Sequence, residues 1–293
     1  MRSPGFTTLD TVRLIFRIVP LGVLTLVVAA GGTAQRVAIL TPEHSDRDLA
    51  IASTVAEKLS TPFKVLDSGL ADAAFRSAVL SHPFNMSTDE ARSVAEVIGC
   101  DYFILIRTDG LRRSSLSKPD YFESFAFLYL VNGRTGELSS WTHLSYEGKD
   151  QPIADAKLAA SIENAVANLK SKIRAREPDS THYSSPSIER VPEDGSTAAT
   201  GLKPPIPYKR IKPTYPAIAF LYGVQATIDV EVDIGSGGEI LKFVVVRWAG
   251  FELEESVEKT VREMNWRPAM REGNPLPMRI LLRYNFTKAD KAP

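Results

Sequence analysis

Val224-Gln225-Ala226-Thr227-Ile228-Asp229-Val230-Glu231-Val232-Asp233-Ile234 alternates without a break between apolar and polar residues. A period of two over this length predicts a β-strand with one buried face and one wet face. Gly235-Ser236-Gly237-Gly238 follows, a turn that can supply left-handed backbone positions. Glu239 to Arg247 then returns as a second strand. Leu253, Val257, Val261 and Met264 recur on one helical face. Trp266-Arg267-Pro268-Ala269 ends that helix, and Arg271-Glu272-Gly273-Asn274-Pro275 turns the chain. Met278, Ile280, Leu282, Tyr284 and Phe286 mark a last alternating strand. Before all of this stands Pro213-Thr214-Tyr215-Pro216, which opens a short helix. The expected unit is a small antiparallel sheet with helices on one face.

These elements resemble the C-terminal domain of TonB, the energy transducer of the Gram-negative envelope. The matching residues are Tyr215-Pro216 with Ala219, Gly223 before the first strand, the glycine turn, Gly250 before the helix, Trp266-x-Pro268-Ala269 and Gly273-x-Pro275. Their order and spacing carry the likeness, which covers about the last quarter of the chain. At one place the sequence departs: the family often has a second glycine where Ala226 stands, and alanine suits a strand.

At 293 residues the chain allows one large domain or two modest ones. Its 44% hydrophobic and 24% charged residues are ordinary for globular protein. Lys+Arg and Asp+Glu balance at 35 each, so nothing points to nucleic acid. Cys100 is the only cysteine, which excludes an intrachain disulfide and a thiolate metal cluster.

Arg2, Arg13 and Arg17 precede an uncharged, apolar run from Ile18, and Ala29-Ala30-Gly31-Gly32-Thr33-Ala34 follows. A basic start, an apolar centre and small residues predict a secretory signal peptide over residues 1–34, with Ala34 or Ala30 as the cleavage point. The alternative is an uncleaved inner-membrane anchor over residues 18–35, near the lower length limit for a span. The arginines would then hold the N-terminus inside. Both readings put the rest of the chain in the periplasm. No cysteine follows the run closely, which excludes a lipoprotein anchor.

Residues 35–176 alternate strands and helices and then form a hairpin, predicting an α/β layer with a mixed sheet. Strands are expected at Arg36–Thr41, Phe63–Asp67, Asp101–Ile106, Tyr121–Val131 and Glu137–Tyr146, the last two around Asn132-Gly133-Arg134-Thr135-Gly136. A first helix, capped at Ser45 or Asp46, is expected to bury Leu49, Ala52, Val55, Ala56 and Leu59. Ser87-Thr88-Asp89-Glu90 has the form of a capping box, and Gly99 ends that helix. A last helix runs over Ile153–Ile173. Val37 to Leu40, Gly99 to Tyr102 and Arg134-Thr135-Gly136 are similar to the small N-terminal periplasmic domain of TolB, which in that family binds other envelope proteins.

Residues 177–207 are rich in Ser, Pro, Thr and acidic residues and predict a flexible linker to a C-terminal domain over residues 208–288. Extended, it reaches only about 90–100 Å at roughly 3.1 Å per residue. TonB itself carries a much longer, regular Pro-rich spacer. The expected fold class is therefore α+β: a mixed-sheet α/β domain, a linker, and a sheet of roughly three antiparallel strands with two helices.

The chain shows no catalytic motif, and an enzyme is not expected. His44, His82, His143 and His182 lie far apart, without the local spacing that metal ligands need. Ser115-Leu116-Ser117-Lys118 has the Ser-x-x-Lys form, but Pro119 follows at once and no companion motif appears. Gly235-Ser236-Gly237-Gly238 lacks the lysine of a phosphate loop. Cys100 reads as a buried thiol. No cofactor is expected. What remains is a backbone site, because a small sheet ends in strands whose free N–H and C=O groups can take an added strand.

The TonB resemblance implies such a site on the last strand, at Arg279, Ile280, Leu281, Leu282, Arg283 and Tyr284, with Lys212, Thr214, Tyr215 and Pro216 close by. Its implied partner is a peptide of an outer-membrane or periplasmic protein. Arg279 and Arg283 could instead merely keep an open edge soluble. If the N-terminus stays in the membrane, the resemblance also implies force transduction from an ExbB–ExbD-type motor. The alternative is a soluble periplasmic adaptor without energy coupling. The short linker, and the lack of the histidine that the TonB anchor usually carries, favour the adaptor. Open edges also allow pairing as an intertwined homodimer. Intact mass of the chain from separated fractions decides between leader and anchor. A soluble species beginning near Gln35 marks cleavage; a full-length inner-membrane species marks the anchor.

Overall fold

Two sheets share one apolar seam in the computed structural model, which describes residues 34–115, 118–175, 188–193 and 195–287. The predicted leader or anchor therefore lies almost wholly outside the described residues. Among these no helix is long and apolar enough to cross a membrane.

The first sheet holds β1 (Arg36–Leu40), β2 (Lys64–Val65), β3 (Tyr102–Ser115), β4 (Lys118–Asn132) and β5 (Leu138–Gly148), in the order β2-β1-β3-β4-β5. β1 runs parallel to β2 and β3, and the β3–β4–β5 meander is antiparallel, so the sheet is mixed as expected. Both predicted hairpin strands are longer than their apolar cores, because polar residues extend the ladder past the covered part. Helices α1 (Asp46–Leu59) and α4 (Gln151–Arg174) bury Ile51, Val55, Leu158, Ile162 and Val166 against one face. Helices α2 (Ser68–Ser77) and α3 (Thr88–Ile98) cover part of the other.

The rotation of α1 differs from the apolar reading. Ile51, Val55 and Leu59 are buried beside Asp48, whereas Leu49 is 46% exposed. A polar contact sets this rotation. The Asp48 carboxylate accepts the N–H of Ser45 at 3.1 Å, closing a capping box, and also the Thr108 N–H at 2.6 Å and hydroxyl at 2.8 Å. A fully buried charge needs such partners, and β3 supplies them. The box at Ser87 forms as predicted, with Ser87 N–H on Glu90 at 2.6 Å and Glu90 N–H on Ser87 Oγ at 3.1 Å.

The C-terminal lobe contains β6 (Leu202–Lys203), β7 (Ile206–Pro207), α5 (Ala217–Leu221), β8 (Ala226–Ile234), β9 (Ile240–Arg247), α6 (Leu253–Glu263), β10 (Trp266–Arg267), β11 (Ala269–Arg271), β12 (Asn274–Leu276) and β13 (Met278–Phe286). Its main sheet is three-stranded and antiparallel, in the order β13-β8-β9. α6 buries Leu253, Val257 and Val261 against it. Residues 177–207, predicted as a flexible linker, behave differently where they are described. β6 pairs with β11, β7 pairs with β10, and Arg190 bridges to Arg279. The few apolar residues here could not make a core, but the backbone of residues 266–271 offers partners to any extended segment.

The seam joins the lobes through aromatic rings. Phe125 and Phe127 of β4 and Trp141 and His143 of β5 meet Tyr222 and Phe251. Ring centroids lie 4.6 Å apart for Phe127–Phe251 and 4.7 Å for Phe125–Tyr222. Inside this cage Tyr222 O–H donates to Glu123 Oε1 at 2.6 Å, Ser145 Oγ donates to the same oxygen at 2.5 Å, and Arg113 Nε donates to Oε2 at 2.6 Å. The Tyr222 oxygen lies 2.8 Å from His143 Nε2, an arrangement that assigns the ring proton to Nε2. Burial pushes the Glu123 carboxyl up, but its three donors win and hold it below the usual carboxylate range. Burial also lowers the His143 pKa, against the pull of Glu123. Trp248 adds a second link, its indole donating to Gly136 O at 2.9 Å. Gly136 has φ +75°, and a Cβ there would meet the Thr88 backbone, so only glycine fits. Asn85, between α2 and α3, donates to Thr227 O and Trp248 O at 2.8 Å each and accepts the Thr227 N–H at 3.0 Å.

Tyr222→Phe removes a charge-assisted hydrogen bond from a half-buried network and is expected to cost about 2 kcal/mol, read from urea unfolding. A loss below a few tenths of a kcal/mol would show that the network adds nothing beyond the rings. Glu254, in the first turn of α6, supplies a pH test. Burial pushes its carboxyl up to about 7, against the pull of the Ala249 and Gly250 N–H groups, at 2.5 and 2.8 Å. A carboxyl raised above its unfolded value costs stability as pH rises through that interval. Glu254→Gln cannot ionise, so its melting temperature should rise relative to wild type between about pH 5 and about pH 8. A constant difference would rule the buried charge out.

Candidate functional site

β13 pairs along its whole length with β8, from Met278↔Ile234 to Phe286↔Ala226. Its other side is an edge of the sheet. Backbone groups on that side recur every second residue. Arg279 marks the phase: its N–H donates to Glu189 O at 2.8 Å, and its C=O accepts the Val191 N–H at 2.9 Å. The outward-facing groups are therefore those of Arg279, Leu281, Arg283 and Asn285. Among the described residues only Arg279 is paired there. Leu281 is 59% exposed.

The inward side chains of the same strand floor a groove. It measures about 530 Å³ and runs beside Ile280, Leu282 and Tyr284, with Pro205, Ile206, Ile211 and Trp266 as its apolar wall. A strand laid along β13 would direct alternate side chains into it. The wall comes from the segment predicted as linker, from Ile211 just beyond it and from β10. Nothing in the local pattern of residues 204–211 marked them as lining, because their role depends on pairing with residues far along the chain.

The arginines of β13 pair within the sheet, although Arg283 also borders the groove. Arg279 grips Asp233 by two bonds at 2.6 and 2.8 Å, and Arg283 grips Asp229 at 2.7 and 2.9 Å. Asp229 and Asp233 are 5% and 3% exposed, so the face predicted as wet is roofed by bidentate cross-strand pairs. Arg247 of β9 approaches Asp229 at 3.5 Å. These side chains hold β13 to β8 and leave its outer backbone groups facing away from the sheet.

The other predicted site residues divide. Lys212 and Thr214 are exposed ahead of α5 but do not line the groove. The Thr214 carbonyl accepts from Ser256 Oγ at 2.6 Å. Pro216 begins α5. Tyr215 is 2% exposed; its hydroxyl donates to Val224 O and its ring packs against Phe286. Its place is structural: it ties α5 to the start of β8.

The opposite edge of this sheet differs. At its end Arg247 bridges to Ser87, and the Trp248 N–H donates to Met86 O at 3.1 Å, so β9 is stitched to the first lobe. A second groove of about 500 Å³ there is rimmed by Glu137, Glu252, Glu254, Glu255 and Glu258. Elsewhere the chemistry is sparse. Among the described residues no group of three or more His, Cys, Asp or Glu could hold a metal ion. Burial pushes the Cys100 thiol up to about 12, which leaves it inert. The backbones of Ser115 and Lys118 pair across the β3–β4 hairpin rather than opening a helix; residues 116–117 between them lie outside the described residues.

Residues 211–287 match the family described as Gram-negative bacterial TonB protein C-terminal. No curated protein matches the chain. Among solved structures, the Neisseria meningitidis lipoprotein GNA1162 is similar at 14% identity, over 46% of this chain and 99% of that one, with a TM-score of 0.32. The Pseudomonas aeruginosa TonB C-terminal domain is similar at 20% identity over 32% and 92%, with a TM-score of 0.26. The Salmonella enterica LpoB C-terminal domain follows at 16% identity over 40% and 86%, with a TM-score of 0.26.

Proposed function

We propose that this chain, whose residues 211–287 carry a TonB-type C-terminal domain, is a non-enzymatic periplasmic protein of the cell envelope that takes a partner peptide onto the open edge of β13. The observation that carries this is the conjunction at one strand. Leu281, Arg283 and Asn285 present backbone donors and acceptors with no described partner, and an apolar groove lies beside them. Such an edge is bound through main-chain hydrogen bonds, and the groove selects alternate side chains. The partner is a segment of an outer-membrane or periplasmic protein.

Of the two uses of such an edge, the adaptor has the stronger support. The C-terminal lobe packs on the first lobe through the aromatic seam, and described parts of residues 188–207 are pinned to it, so little of the linker is left as spacer. A force transducer driven by an ExbB–ExbD-type motor needs both an anchor and reach.

A photo-crosslinking residue at position 281 in living cells is expected to trap an outer-membrane or periplasmic protein. Leu281→Pro removes an outward N–H without touching the β8 ladder, and should weaken co-purification of that protein at least about tenfold. A folded Leu281→Pro protein that retains its partner would rule out strand addition here.

A further inference from the structure

Glu189–Val191 already lies on the β13 edge. Arg190 pairs in parallel with Arg279, and two backbone bonds, at 2.8 and 2.9 Å, join Arg279 to the residues on either side of Arg190. This is the geometry of one position of a parallel strand. Side chains alternate accordingly. Glu189 turns to the helix side and accepts from Arg271 Nη2 at 2.8 Å. Arg190 turns to the other face and pairs with Glu231. Val191 returns to the helix side at the end of the groove, beside Ile280. The chain then leaves the edge. Among the described residues only one of the four outward positions is used.

Resting on the edge reading above, we propose that Glu189–Val191 is a resident strand ligand of the β13 edge, and that the partner segment competing with it carries the same pattern. That pattern is an acidic residue facing Arg271, a basic residue near Glu231, and a small apolar residue in the groove. Three observations converge on it. The backbone bonds fix the direction and register of the bound strand. The ion pairs fix the order of charge. The uncovered positions at Leu281 and Arg283 give a longer segment more backbone bonds than the resident can make, so a partner can displace it. A tethered competitor acts at an effective concentration on the order of millimolar, enough to shift weak peptide binding severalfold and to discriminate against short, poorly matched segments.

The test uses the full chain and a fluorescein-labelled synthetic peptide with the sequence of residues 188–193, Ile-Glu-Arg-Val-Pro-Glu. Binding is followed by fluorescence anisotropy and located by hydrogen exchange of the fragment spanning residues 278–286. Val191→Pro deletes the N–H given to Arg279. Glu189→Lys, a second variant that leaves the backbone unchanged, sets like charge against Arg271. Both should bind the peptide about fivefold or more tighter than wild type, with new protection at residues 278–286. Equal affinity for all three proteins, with protection at residues 278–286, overturns the resident-ligand proposal and leaves the edge reading standing. Binding that protects other segments only overturns both. No binding to any of the three overturns the resident-ligand proposal alone. Unchanged thermal unfolding shows that the variants fold.

Discussion

Where the two sheets meet, a single carboxylate collects donors from both lobes. Glu123 receives Tyr222 from the C-terminal lobe, and Ser145 and Arg113 from the first. A charge inside an aromatic cage is costly unless every lone pair is met. The cage therefore closes in one arrangement, with Tyr222 packed against both Phe125 and Phe127 and its oxygen against His143. Rings supply the apolar area, and the carboxylate supplies the register. The position of the C-terminal sheet on the first lobe follows from this junction together with the Asn85 and Trp248 links.

That position makes the small sheet asymmetric. Its β9 side ends against Ser87 and Met86 of the first lobe. Its β13 side carries outward backbone groups beside an apolar groove. The arginine–aspartate pairs across β13 and β8 add to the asymmetry, because they use the side chains of Arg279 and Arg283 within the sheet and leave the backbone as the feature offered outward. A site of this kind has no signature of reactive residues. Its chemistry is that of an incomplete ladder.

Much of this was legible in the chain. The alternation from Val224 to Ile234, the glycine turn and the stripe Leu253, Val257, Val261 marked the β8–β9 hairpin and α6, because each is a local periodic pattern. Ser87 with Glu90 marked a helix start for the same reason. Three features were hidden by distance along the chain. Asp48 is the buried partner of Thr108, and apolar periodicity gave its place on α1 to Leu49. Glu189 to Pro207 has the composition of a linker, yet its extended pieces complete ladders begun by residues 266–279. Tyr215 stands in the matched motif, but its burial depends on Phe286 at the far end of the lobe. Composition records what a segment could bury, while pairing decides what it meets.

The seam also sets an order of events. A chain is made, and threaded through any pore, from its N-terminus. The rings of β4 and β5 are in place by His143, but Phe251 arrives roughly a hundred residues later, a delay of about 5–20 s at ordinary rates of synthesis. Through that interval Phe125, Phe127 and Trp141 stand uncovered on a half-built sheet whose β5 edge is also open. Such a surface is what chaperones hold and what aggregates form from. The first lobe therefore carries this apolar surface until the second is complete.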